Sequence, residues 1–155
     1  MDPNSDSDAF FLSEAYAEAV LAGADGEVPV GAVLVHHETI VARGRNQREK
    51  TLSPISHAEI HALVAGSESL KSWRLLGCTL YVTLEPCPMC LAACQQARIS
   101  RVVYGAADPK GGALSLGYPL HADQRMNHRF IVDYQETHQC GQILTDFFRR
   151  KRNSE

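Results

Sequence analysis

Apolar residues change their period several times along this 155-residue chain, and each change marks an element. From Asp8 to about Leu21, Phe11, Ala15, Ala19 and Ala22 recur at helical spacing with Glu14 and Glu18 between them. That pattern predicts an amphipathic helix, ended by Gly23 to Gly26. Residues 1–7 are acidic and polar and are expected to be a frayed end. Val28–Val35 reads as a buried strand, with Thr39–Ala42 pairing back on it across a turn at His36-His37-Glu38. A polar loop follows over residues 44–55, carrying Asn46 and ending near Pro54. A helix is expected from Ser56 to about Ala65, a strand over Thr79–Leu84, and a helix from Pro86 through Arg98. Proline suits the first turn of a helix. Arg101–Tyr104 is another strand, residues 105–128 form a long glycine-containing loop, and Phe130–Tyr134 supplies a fifth strand. The chain closes on a helix from about Glu136 to Arg152, and it contains no internal repeat. This order predicts an α/β fold: a three-layer αβα sandwich around a mixed central sheet of about five strands.

Composition narrows the picture. The length fits one domain over residues 1–155, and 45% apolar residues exclude disorder throughout. No apolar run approaches a membrane span, and the first ten residues do not read as a secretory signal. Five cysteines make no disulfide framework, so a reducing, cytoplasmic setting is expected. The net charge of −3 hides an asymmetry: residues 1–42 hold eight acids and no Lys or Arg, while residues 43–155 hold all 15 basic residues against ten acids. The sharpest basic run is Arg149-Arg150-Lys151-Arg152. It reads either as a solvated helix end favoured by the helix dipole or as a nucleic-acid contact.

The chemistry concentrates in His57-Ala58-Glu59 and Pro86-Cys87-Pro88-Met89-Cys90. One imidazole and two thiolates are three good zinc ligands. Structural zinc is usually closed by four protein ligands, whereas catalytic zinc keeps a position open for water. Glu59 is then a free carboxylate beside the metal, as zinc-assisted hydrolysis needs. Other readings exist for each part. Cys87 and Cys90 could be a redox pair, though no Trp-Cys-Gly-Pro context surrounds them. Ser56-His57-Ala58-Glu59 fits a capping box, which would engage the same carboxylate. His61 stands one turn after His57 and Cys94 one turn after Cys90, so either could be a further ligand; a packed His and a buried free Cys are the plainer assignments. His36 and His37 fit an exposed turn better than a metal site. Gly105 and Gly111-Gly112 make no P-loop, because no Gly-Lys-Ser/Thr follows.

His-x-Glu followed by Pro-Cys-x-x-Cys is the signature of the zinc nucleobase deaminases. Over roughly residues 8–152 the chain resembles the bacterial tRNA-specific adenosine deaminases, a branch of the cytidine-deaminase-like superfamily. The likeness rests on residues 26–35, Asn46, His57–Ile60, Leu80–Cys90, Arg101–Gly105, Met126–Arg129 and Asp146–Arg149. The Asn-His-Arg segment and the Phe-Phe-Arg tail are its more specific parts. The resemblance implies a cytidine-deaminase-like fold, one zinc per chain on His57, Cys87 and Cys90, and Glu59 as the proton carrier. It implies hydrolytic deamination of the wobble adenosine of a tRNA anticodon stem-loop to inosine. It also implies a homodimer with the active site near the subunit boundary. Asn46 would hydrogen-bond the nucleoside, Val30, Pro86 and Phe148 would border the base, and Asp108, Lys110, Asn127 and Arg149 would contact flanking nucleotides. For Asn46 and Asp108 a turn-holding role is the alternative.

Three segments depart from the family pattern: Ser53-Pro-Ile-Ser56, Lys110-Gly-Gly-Ala-Leu-Ser115 and Asp133-Tyr-Gln-Glu136. None touches the zinc ligands. Two other functions share the same motif: deamination of a free base or nucleoside of cytosine or guanine type, and a non-catalytic zinc-stabilised RNA-binding subunit. Retention of Glu59 argues against the second.

Overall fold

The computed structural model describes residues 3–154. Five helices and five strands follow in the order α1 (Pro3–Ala24), β1 (Gly31–His36), β2 (Thr39–Arg45), α2 (Arg48–Thr51), α3 (Ala58–Leu70), β3 (Cys78–Val82), α4 (Pro88–Gln96), β4 (Arg101–Tyr104), β5 (Ile131–Tyr134) and α5 (His138–Asn153). The sheet order is β2-β1-β3-β4-β5. The pairs β1–β2 and β1–β3 are antiparallel, while β3–β4 and β4–β5 are parallel, so the sheet is mixed.

Strand alternation sends successive side chains to opposite faces, and the core divides accordingly. Val33, Val35, Tyr81 and Val103 face α1, where they meet Phe11, Leu12 and Ala15. Ala32, Leu34, Leu80, Val82, Val102 and Tyr104 face the other way and pack on Ala58, Ala62 and Leu63 of α3 and Leu91 and Cys94 of α4. Three layers result, as the order of elements predicts. The α3 layer sits very close to the sheet at Gly44. A Cβ there would run into the backbone of α3 at Ala58 and Ala62, so glycine is needed for the close approach that seats the first turn of α3.

Several boundaries differ from the expected ones. Helix α1 reaches back to Pro3, so residues 3–7 are helical; residues 1 and 2 lie outside the described residues. Strand β1 begins at Gly31, three residues after Val28, because Pro29 has no N–H for a ladder. The expected loop over 44–55 contains the last residues of β2 and the single turn α2. Helix α3 starts at Ala58 with His57 as its N-cap, and it runs five residues past Ala65. Pro88 rather than Pro86 takes the first position of α4. The hairpin turn at His37-Glu38 has φ of 51° and 61°, the left-handed pair that suits a tight turn between twisted strands. Among the described residues no helix is long and apolar enough to cross a membrane.

Candidate active site

Two helix N-termini meet at the C-terminal end of β3. His57 is the N-cap of α3 and Cys87 the N-cap of α4, both with extended backbone. Cys90 follows one turn into α4 and is buried. His57 Nδ1 lies 3.6 Å from Cys87 Sγ and 3.4 Å from Cys90 Sγ. The donor atoms of all three residues lie within 4.8 Å of one another. Nitrogen and sulfur ligands of a tetrahedral zinc stand about 3.5 Å apart, so the spacing and softness of this donor set fit such an ion. Neither Cys94 nor His61 joins this group. Cys94 is buried and its thiol is pushed up by burial. His61 Nε2 is buried without a partner.

Glu59 lies in the first turn of α3 and is 4% exposed. It is not part of a capping box. The Ser56 hydroxyl bonds instead with Thr51 Oγ1 at 2.6 Å, and the N-cap side chain makes no bond to α3. The carboxylate is therefore available for chemistry. Burial pushes it up to about 7. The Cys87 thiol falls to about 4, chiefly through a hydrogen bond from Cys90 and with help from His57. Hydrogen bonding to Cys87 in turn raises the His57 imidazole. A carboxyl poised near neutrality beside a thiolate and an imidazole has the chemistry to move protons next to a group that could hold a cation.

A cavity of about 760 Å³ opens over this group, within the usual size range of small-molecule sites. Its wall brings together Val30, Asn46, His57, Glu59, Cys87, Asp108, Lys110 and Phe148. Asn46 is tied down at both ends: Nδ2 donates to the Val28 carbonyl at 3.1 Å and Oδ1 accepts from the Arg48 N–H at 3.3 Å. It holds the turn and lines the cavity at once. Asp108 likewise accepts from the Lys110 and Gly111 N–H groups at 3.3 and 3.1 Å.

Three expected contacts are not on the wall. Pro86 is buried, its carbonyl engaged by the Ala113 N–H at 2.8 Å. Asn127 is exposed on the loop before β5. Arg149 pairs with Asp146 at 3.7 Å, and Arg152 lines the cavity instead. Gly141, Leu144, Thr145, Phe148 and Arg152 recur at helical spacing and form one stripe of α5 facing the cavity. Arg149 falls to the side of that stripe, which helical period shows once Phe148 is known to face the cavity.

Other wall residues carry no sequence signal. Arg48 lines the cavity from α2, a turn whose first N–H groups are satisfied from a distance. Buried Glu27 accepts from the Glu49 N–H at 3.0 Å and the Lys50 N–H at 2.8 Å. Glu85 is also buried and holds the loop that bears Asp108 and Lys110.

A mixed sheet with a His-Cys-Cys group at two helix N-termini, and a buried glutamate beside it, defines a deaminase of cytidine-deaminase-like fold. The chain belongs to the MafB19-like deaminase family, whose sequence model matches residues 5–152, and within it to the tRNA-specific adenosine deaminases. It is 44% identical over 146 residues to the tRNA-specific adenosine deaminase of Bacillus subtilis (strain 168), covering 94% of this chain and 91% of that one. A solved structure from work on A-to-I editing by tRNA:A34 deaminases at the wobble position superposes with a TM-score of 0.82. That match is 40% identical and covers 88% of this chain and 99% of the other. The guanine deaminase of Bacillus subtilis is also similar, with a TM-score of 0.62 and 31% identity over 99% of this chain and 95% of that one.

Proposed function

We propose that this chain hydrolytically deaminates adenosine to inosine at the wobble position of a tRNA anticodon loop. One observation carries the reading: Glu59 is buried beside a three-donor group at the floor of a cavity whose walls bear Asn46, Lys110, Phe148 and Arg152. His57, Cys87 and Cys90 would hold one zinc. When bound, zinc supplies Lewis-acid activation of the water that attacks C6 of adenine. Glu59 accepts a proton from that water, delivers it to the ring nitrogen, and carries the next proton to the departing ammonia. Asn46 would orient the nucleoside, and Phe148 would pack against the splayed base. The cations on the wall suit the flanking phosphates.

A homodimer is part of this reading. Leu52 and Ile55, on the segment leading to His57, are 88% and 55% exposed, and Leu116 and Tyr118 are exposed beyond the loop that bears Lys110. The cysteines are all unpaired, which suits a reducing cytoplasm.

The likeness to a guanine deaminase favours one competing reading, a free-base substrate, and the same site chemistry would serve it. Incubation with unmodified tRNA, then sequencing, should show adenosine converted to inosine at the first anticodon position. Ammonia release from guanine, cytosine or free nucleosides, with tRNA unchanged, would replace this reading with the other.

A further inference from the structure

Glu85 has no role in the chemistry above, yet it is among the most buried charged residues of the chain, at 3% exposure. Its carboxylate points at the loop between β4 and β5. Oε1 accepts from the Asp108 N–H at 3.1 Å and the Ser115 hydroxyl at 2.7 Å. Oε2 accepts from the Ser115 N–H at 2.9 Å. The Glu85 N–H donates to the Ala106 carbonyl at 2.8 Å, and the Pro86 carbonyl receives the Ala113 N–H at 2.8 Å. Gly112 belongs to the same contact, since a Cβ there would overlap the Glu85 carboxylate. The segment from Ala106 to Ser115 is thus wrapped around one buried anion. The turn it forms presents Asp108 and Lys110 to the cavity.

The same glutamate stands two residues before Cys87. We propose that Glu85 is a positioning residue: its carboxylate holds the 106–115 loop in register with the Cys87–Cys90 donor turn, and so sets where Asp108 and Lys110 meet the nucleotides flanking the reacting base. The RNA half of this inference rests on the function proposed above. The segment Lys110-Gly-Gly-Ala-Leu-Ser115, which departs from the family pattern, carries part of this contact. Ser115 is the residue of that segment that supplies both a backbone and a side-chain donor to Glu85.

The test uses Glu85→Gln. Each carboxylate oxygen faces a backbone N–H, so an amide in either orientation sets one donor against another while keeping the volume. In the zinc-loaded protein, amide exchange at Asp108 and Ser115 should accelerate about tenfold, with zinc content unchanged. With an anticodon stem-loop RNA, KM should rise about tenfold while kcat falls less than about twofold. Lys110→Ala should raise KM in the parent and add little in the Glu85→Gln background, because both act through one loop. A merely structural role would lower the melting temperature without this KM-against-kcat split. Ser115→Ala removes only the hydroxyl donor and should shift both readouts in the same direction by roughly threefold; it decides the matter if Glu85→Gln does not fold.

Unchanged exchange, or unchanged KM with faster exchange, overturns the proposal. So does loss of zinc with kcat falling and KM constant, which would place Glu85 in support of the donor turn instead. If the parent protein edits no RNA, the function proposed above falls and the RNA half falls with it; the exchange measurement still decides whether Glu85 holds the loop.

Discussion

His57 and Cys87 occupy the same position in two different helices. Each is an N-cap, with φ of −77° and −71°, and neither side chain makes a capping hydrogen bond. The usual N-cap side chain satisfies one of the orphan N–H groups of the first turn. Here both side chains turn away and meet each other, 3.6 Å apart. The two helices forgo a capping bond and present their positive ends to a pair of sulfurs. That arrangement favours thiolate at Cys87 and prepares the site for a cation.

Purified protein should therefore hold about one zinc per chain. Metal analysis should find it lost in a Cys87→Ala, Cys90→Ala double variant and kept in Cys94→Ser. Zinc retained by the double variant, or lost from Cys94→Ser, would mean a different ligand set.

Glu59→Gln should cut turnover by at least about 100-fold, since a proton carrier is replaced by an amide. Zinc content should be unchanged, because Glu59 lies outside the donor group. Folding should survive for a simple reason: burial already disfavours the charged carboxylate, so a neutral side chain of the same shape fits the site. Near-normal turnover would remove Glu59 from the chemistry.

The basic tail should act unevenly. Arg152 lies on the stripe of α5 that faces the cavity, while Arg149 is paired with Asp146. Arg152→Ala should weaken tRNA binding by roughly tenfold and reduce the slope of log affinity against log salt by about one. Arg150, a half-turn away from the stripe, should matter much less. Replacing Arg149 to Arg152 together should flatten the salt dependence further. Titrations of affinity against salt, giving parallel lines of equal affinity for parent and variants, would reduce the tail to a solvated helix end.

A separate prediction concerns the far side of the sheet. Asp8 accepts bonds from Tyr81 Oη at 2.7 Å and from Arg101 Nη1 and Nη2 at 2.8 and 2.7 Å. Burial opposes its ionisation, but the bonds from Arg101 and Tyr81 and the Arg101 charge prevail and hold the carboxyl below its usual value. A group with a depressed folded-state pKa stabilises the fold above its unfolded pKa and loses that contribution as pH falls through the folded pKa. Asp8→Asn should therefore cost about 2 kcal/mol near pH 7. The gap from the parent should close as pH drops below about 4. Denaturant melts of both proteins across that range check the sign.

The sequence by itself determined the local part of this protein. Hydrophobic period placed all five strands within a few residues, because alternation and buried runs are properties of neighbouring positions. That His57, Cys87 and Cys90 come together with Glu59 buried nearby was legible as a candidate site, because metal ligation and proton transfer demand particular residue types at short spacing, and those types are few. Tertiary structure decided the rest. Ser56 looks like a capping partner of Glu59, but its hydroxyl bonds back to Thr51 at the end of α2, a choice between two near neighbours that only the folded chain path decides. Glu27 and Glu85 look like ordinary acids. Only folding sets one against α2 and the other inside a loop about 25 residues further on. Of the basic run, helical period singles out Arg152 only once Phe148 is known to face the cavity. Residues that do chemistry declare themselves by type. Residues that hold loops in place are chosen by where the backbone's unsatisfied N–H groups come to rest, and that is fixed only when distant segments pack.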